Sequence, residues 1–158
     1  MKAALLKLHF AVFLWGFTGV LGKAIQLNEG LLVWYRLLIT VVTLFFLMLW
    51  KNEFKKITLK TALKLSAIGC VVALHWVCFY GSIKYANVSI ALICLSAAGV
   101  ITALIEPIFT SKKIVVVEVL LGLIAIIGIY LIFHFDTKYR TGILIGFLST
   151  ILSVLFSV

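Results

Sequence analysis

Charge is scarce in this chain of 158 residues, because 12% of them are charged and 65% are hydrophobic. A soluble globular domain usually has about 25% charged and about 45–50% apolar residues. Acidic residues are the scarcest, since Asp and Glu number five against 14 Lys and Arg. This composition excludes an ordinary soluble fold, and the apolar residues fall in runs long enough to cross a bilayer as helices.

Enzyme and metal signatures are also missing. The sequence contains no nucleotide-binding loop, no HExxH, no GxSxG and no paired catalytic carboxylates. Its three cysteines, Cys70, Cys78 and Cys94, lie inside apolar runs and form no CxxC spacing. We therefore expect no enzyme activity and no cofactor, and we expect the cysteines to pack as small hydrophobic side chains.

Six long apolar runs are present, and none alternates between polar and apolar residues as a barrel strand does. They cover residues 5–27, 31–50, 65–83, 88–109 and 114–133, and a sixth begins near residue 142 and is still apolar at residue 158. Short polar links separate most of them, which forces neighbouring helices to run antiparallel. The sequence therefore predicts an all-α integral membrane protein.

Basic residues at the ends of the runs predict the orientation. The N-terminal tail and the links at 51–64 and 110–113 carry nine lysines, whereas the opposite side carries four basic residues. Because basic residues concentrate on the cytoplasmic side, we expect a cytoplasmic N-terminus in the inner (plasma) membrane. The net charge of +9 is then explained by contact with lipid headgroups, and no nucleic acid is expected as a partner.

The number of runs predicts a domain organisation. After five helices, a sixth begins on the side opposite to the first, so a second five-helix unit would be inverted relative to the first. Inverted repeats are a common plan of secondary transporters. We expect residues 1–135 to form a first repeat, residues 136–158 to form an external loop and the start of a second repeat, and the chain to be part of a longer protein.

Three ionisable residues inside the runs need an explanation, because charge in a membrane is costly. His75 lies near the predicted midplane, and it either relays protons or binds substrate, or it packs as a neutral ring with a hydrogen bond. Arg36 either attracts an anionic group or extends to the headgroups. Glu106 precedes Pro107, which frees a backbone carbonyl near Ala103. This pair has a structural or gating role, or it contacts substrate directly, and we favour the former. Alternatively, the Glu106 carboxylate lies at the interface and pairs with Lys112 or Lys113.

Aromatic and small residues provide the remaining candidates. Trp15, Trp76 and Tyr80 lie too deep for the interfacial aromatic belts, so they either line a substrate cavity or pack. Ser96 belongs to a cluster of small residues in the fourth run, and Gly16 belongs to a glycine series in the first. Small residues let helices approach closely in lipid, so these two helices are candidates for a moving core.

Five stretches, taken in order, carry a resemblance to a known family. They are Leu14-Trp15-Gly16-Phe17; Tyr35-Arg36-Leu37-Leu38; His75-Trp76-Val77-Cys78-Phe79-Tyr80-Gly81-Ser82-Ile83-Lys84-Tyr85; Leu104-Ile105-Glu106-Pro107-Ile108-Phe109; and Glu118 with Gly122, Gly128 and Ile129-Tyr130-Leu131-Ile132. Across residues 8–135 the sequence resembles the EamA-type family of the drug/metabolite transporter superfamily. One departure is Thr110-Ser111-Lys112-Lys113, which stands where the family often has a Gly-Glu pair.

The resemblance implies a ten-helix exporter of small metabolites such as amino acids, with a substrate cavity between two inverted repeats. The expected partners are membrane lipids, a small-molecule substrate, and a second repeat or a second copy of the chain. Two alternatives remain open: a membrane scaffold that does not transport, and a small multidrug exporter built from two antiparallel copies. The charge bias between the two sides speaks against the antiparallel dimer.

Overall fold

The protein is built from helices that lie side by side. The computed structural model describes residues 2–54, 56–110, 114–133 and 137–158, and all regular secondary structure in these ranges is helical. The elements are α1 (Lys2–Ala24), α2 (Glu29–Lys51), α3 (Leu59–Tyr85), α4 (Val88–Ser96), α5 (Ala98–Phe109), α6 (Val116–Phe133), a 3-10 turn (Thr137–Tyr139) and α7 (Arg140–Ser157).

Five spans in the described ranges are long and apolar enough to cross a membrane. They are α1, α2, α3, the pair α4 and α5 taken together, and α7. In α6, the apolar stretch Val116–Gly128 is shorter than these. The prediction of an all-α, multi-pass membrane protein is confirmed.

Side-chain caps mark the starts of three helices. Asn28, Thr58 and Asn87 each stand directly before a helix, and the side chain of each accepts a hydrogen bond from the backbone N–H three residues later. Such caps satisfy backbone donors that the first helical turn leaves open. At the other end of α2, Asn52 adopts the left-handed conformation with φ of 51°, which commonly ends a helix.

The third helix begins six residues earlier than the sequence predicted, at Leu59 rather than at residue 65. The predicted loop at 51–64 is correspondingly shorter. Lysine is a good helix former, and its long side chain reaches polar surroundings from within a helix. Lys60 and Lys64 therefore extend α3 instead of interrupting it.

The fourth span is interrupted at Ala97, and not near Ala103, where Pro107 was expected to open the backbone. The helix continues through Pro107 to Phe109. At the interruption the Ala97 N–H donates to the Cys94 carbonyl at 3.1 Å, a tighter turn than in an α-helix. The Thr150 hydroxyl of α7 donates to the same carbonyl at 2.9 Å, so a neighbouring helix stabilises the break.

Helix α7 makes its most extensive contact with α3 and also packs on α4. The contact is formed by small and hydroxyl-bearing residues, which we name the α7 seam: Ser82, Cys94, Gly142, Gly146, Ser149 and Thr150. Glycines allow helix backbones to approach closely, and hydroxyl groups bond across the contact where no water is available. For example, Ser82 Oγ donates to the Gly142 carbonyl at 2.8 Å.

Helices α1 and α2 pack on the rest of the protein less extensively than α7 does. Helix α1 contacts α3 and α4, and α2 contacts α3. A buried cluster joins α2, α3 and α4, and its members are Leu32, Val33, Phe79, Tyr80, Ile83 and Ala91. Helix α3 is therefore the central helix, with α7 and α1 as neighbours that pack on it to very different extents.

Candidate functional site

A cavity of about 190 Å³ lies between α1, α3 and α4. Its lining residues are Val12, Trp15, Gly16, Thr18, His75, Trp76, Phe79, Leu92 and Leu95. The lining is mainly apolar and includes no charged side chain. All of these residues belong to membrane-spanning segments, so the cavity lies within the membrane-spanning part of the protein.

Helical periodicity explains how the wall is formed. Residues three and four apart lie on one face of a helix. Val12, Trp15 and Gly16 follow this spacing on α1, and His75 and Phe79 follow it on α3. Gly16 leaves room at the wall, because a Cβ atom added there would meet nothing within 4 Å.

His75 is the most buried polar residue of the wall, with 3% of its surface exposed. Its Nδ1 lies 2.8 Å from the backbone carbonyl of Ser149 on α7. A carbonyl only accepts hydrogen bonds, so Nδ1 carries a hydrogen and donates. The Ser149 hydroxyl donates to the His75 carbonyl at 3.1 Å and lies 3.0 Å from Nδ1. The imidazole is therefore fixed in orientation by the α7 seam.

The second ring nitrogen of His75, Nε2, faces a different environment. Among the described residues it has no hydrogen-bond partner. Every buried side-chain nitrogen or oxygen in the same ranges has a hydrogen-bond partner. Because Nε2 has none, it is not fully buried. His75 lines the cavity, so Nε2 is open to that space. In the neutral ring, an Nδ1 that carries the hydrogen makes Nε2 an acceptor.

Arg36, Trp76 and Tyr80 form a cluster next to the cavity. The guanidinium of Arg36 lies 3.9 Å from the centre of the Trp76 ring, and its Nη1 donates to the Tyr80 hydroxyl. The Trp76 and Tyr80 rings stack with centroids 5.8 Å apart. Within the described ranges Arg36 has no carboxylate partner, so an aromatic face and a hydroxyl are what stabilise its charge.

The structure thus brings together some of the residues singled out from the sequence and separates others. Trp15, His75 and Trp76 line one cavity. Tyr80 does not line it, but stacks on Trp76 from within the buried cluster. Ser96 also lies outside the lining, and its hydroxyl donates to the Ile93 carbonyl of its own helix at 2.7 Å.

Glu106 and Pro107 lie apart from the cavity, in α5. The Glu106 carbonyl accepts from both the N–H and the hydroxyl of Thr110, each at 2.8 Å. The expected partners of its carboxylate, Lys112 and Lys113, lie outside the described residues.

Sequence reasoning missed several residues of this site. Phe79, Leu92 and Leu95 are ordinary apolar residues, so nothing in the sequence distinguishes them from residues that face lipid. Ser149, which orients His75, follows Gly142 and Gly146 at helical spacing. That pattern of small residues in the sixth run was the available signal for a helix contact.

The described ranges hold no group of three His, Cys, Asp or Glu side chains that could bind a metal ion. All three cysteines are free thiols. Cys78 and Cys94 are buried, as expected for small hydrophobic side chains, whereas Cys70 is exposed.

Comparison with known proteins identifies the family. Residues 2–134 match the EamA-like transporter family. The chain belongs to that family. Neither the comparison with curated proteins nor the comparison with solved structures found a match. EamA proteins are membrane transporters of the drug/metabolite type and not enzymes. The matched range contains the whole cavity lining, whereas Ser149 and the rest of α7 lie beyond it.

Proposed function

We propose that this EamA protein is a secondary transporter that exports small metabolites, amino acids among them, by alternating access. The observation that carries the proposal is the cavity between α1, α3 and α4, within the membrane-spanning part of a chain whose residues 2–134 match a transporter family. Cavities among membrane helices are the usual location of solute sites in secondary transporters.

The cavity wall is incomplete on the side of α1, which supports a role for a partner. Trp15 lines the cavity, yet 58% of its surface is exposed. A bound solute would therefore need a further wall. We propose that a second, inverted repeat or a second copy of the chain supplies it, with residues 1–135 acting as the first repeat and α7 as the start of the next.

Two glycines allow a matched test of transport. A Cβ atom added at Gly16 or at Gly69 would meet nothing within 4 Å, but only Gly16 lines the cavity. We expect Gly16→Leu to place a side chain in the cavity and to abolish export, and we expect Gly69→Leu to leave export unchanged.

The measurement is the efflux of a panel of radiolabelled amino acids and related metabolites from cells that express the chain, either variant, or an empty vector. Faster efflux of at least one solute, lost in Gly16→Leu and kept in Gly69→Leu, supports the proposal. Identical efflux from all four for every solute, with the chain present in the membrane, contradicts it and favours the scaffold alternative.

We further propose that the N-terminus lies in the cytoplasm of the cell that carries the protein in its plasma membrane. The links after α1 and α2 would then lie on opposite sides. A membrane-impermeant thiol reagent applied to intact cells should label Gln26→Cys and not Glu53→Cys, with the unmodified chain as the control for its own cysteines. The reverse labelling would overturn this orientation.

A further inference from the structure

The cavity wall contains a hydrogen-bonding atom that is fixed in place and has no partner among the described residues. His75 is buried, its Nδ1 is committed to the Ser149 carbonyl, and its Nε2 has no partner among the described residues. Because α7 fixes the ring, Nε2 cannot turn away to find a partner elsewhere. Nε2 is open to the cavity that His75 lines, so a ligand that donates a hydrogen bond to it gains a contact that a ligand without a donor does not.

The rest of the wall favours an uncharged, flat group. Trp15, Trp76 and Phe79 contribute aromatic rings, and no charged side chain lines the cavity. Aromatic walls bind other rings by stacking or by edge-to-face contact. A charged group placed against this wall would lose its hydration without gaining an opposite charge, which is costly. Arg36 does not supply that charge, because its guanidinium lies on Trp76 and is not part of the lining.

The volume indicates the size of the group that this part of the wall receives, since the side of α1 is open. An apolar protein cavity of about 150 Å³ accommodates one benzene ring. The present cavity of about 190 Å³ is somewhat larger, which fits one ring or two small fused rings.

From these three observations we infer that the cavity binds an uncharged, ring-sized apolar group carrying one N–H or O–H donor, which hydrogen-bonds to Nε2 of His75. This inference deepens the proposed function and rests on it, since it specifies which part of a transported solute this wall receives. Thr18 also lines the cavity and carries a hydroxyl as a further polar group of the wall.

Two probes of nearly the same shape test the inference. Indole has an N–H donor, and 1-methylindole replaces that hydrogen by a methyl group. The full chain, labelled with ¹⁵N-histidine, is titrated with each probe in detergent, and the His75 resonances are assigned with a His75→Phe variant. We expect indole to shift the Nε2 resonance and to bind about 3- to 10-fold more tightly than 1-methylindole, because one hydrogen bond contributes about 0.5–1.5 kcal/mol.

Variants separate binding in the cavity from partition into detergent. His75→Phe should bind both probes equally, Gly16→Leu should bind neither, and Gly69→Leu should behave as the unmodified chain. Equal affinities of the two probes for the unmodified chain, or an Nε2 resonance that indole leaves unmoved, would overturn the inference. The comparison of the two affinities uses only the unmodified chain, so it holds even if His75→Phe fails to fold.

The result is independent of the transport assay. Loss of discrimination between the probes, with efflux intact, overturns the inference and leaves the proposed function standing. Discrimination between the probes without efflux of any solute supports the inference about the cavity and contradicts the proposed transport function.

Discussion

The side of α3 that faces α7 and the side that faces α1 differ in the extent of their contacts and in the residues that form them. Towards α7, small residues allow close approach, and hydroxyl groups bond to backbone carbonyls across the contact. Towards α1, the contact is less extensive. Gly19 and Gly22 lie close to Val88 and Tyr80, whereas around Trp15 aromatic side chains surround open space. A single membrane helix can thus be held by close packing on one side while its other side remains available for a ligand.

His75 connects the two sides. Its Nδ1 bonds to Ser149 in the α7 seam, and its Nε2 is left for the cavity. The seam therefore determines not only how α7 packs but also which nitrogen the cavity presents. We therefore expect changes in the seam to alter both stability and binding, whereas changes at cavity residues other than His75 should alter binding alone.

The largest expected effect comes from filling the close contact between Gly142 on α7 and the end of α3. A Cβ atom added at Gly142 would lie 2.9 Å from the backbone nitrogen of Ala86, so no side-chain movement of Ala86 relieves the clash. We expect Gly142→Val to lower the free energy of unfolding by about 3 kcal/mol, as overpacking does in tight contacts. Thermal unfolding in detergent measures this, and Gly16→Val, which has open space around it, is the control. Equal destabilisation by both variants would refute the contrast between the two sides.

A smaller effect is expected from removing one hydroxyl of the seam. Ser149→Ala loses the bond to the His75 carbonyl and keeps the backbone carbonyl that accepts from Nδ1. Hydrogen bonds between membrane helices contribute about 0.6 kcal/mol on average and about 1.7 kcal/mol at most. We therefore expect the free energy of unfolding to fall by about 0.6–1.7 kcal/mol. Ser157→Ala is the control, because the Ser157 hydroxyl is exposed and bonds only to Ser153 in its own helix. Equal destabilisation by Ser157→Ala would show that the loss does not come from the hydrogen bond between Ser149 and His75.

The smallest change in stability is expected at Tyr80, which lies beside the cavity and not in the seam. Tyr80→Phe removes the acceptor for Arg36 and retains the ring that stacks on Trp76. We expect a loss of about 0.5–1 kcal/mol in unfolding free energy, measured against Tyr85→Phe, a position with 56% of its surface exposed. A loss larger than that of Ser149→Ala would mean that the Arg36 cluster, and not the seam, is the main polar anchor of α3.

Much of the fold could be predicted from the sequence because length and hydropathy determine which segments span a membrane. The first two runs correspond to α1 and α2 within a few residues. The start of α3 was misjudged because Lys60 and Lys64 have the composition of a loop but extend the helix. The interruption at Ala97 was not predicted, because it depends on a hydroxyl from α7 that lies far away in sequence.

The candidate site was less predictable than the fold. Sequence position predicts the depth of Trp15, His75 and Trp76 in the membrane, but not the direction in which each side chain points. Direction depends on which helices are neighbours, and this is decided by close contacts such as that between Gly142 and Ala86. For the same reason Ser96, which has a suitable depth and chemistry, lies outside the cavity lining.

The most direct test of the link between the seam and the cavity is the protonation pattern of His75 in the unliganded protein. Nitrogen–proton NMR of the ¹⁵N-histidine-labelled chain, with His75 assigned by substitution, reports which ring nitrogen carries the hydrogen. We expect a hydrogen on Nδ1, bonded to the Ser149 carbonyl, and an unprotonated Nε2. A hydrogen on Nε2 with a bare Nδ1 would contradict it, because the Ser149 carbonyl cannot donate to Nδ1 and the cavity would present a donor instead of an acceptor.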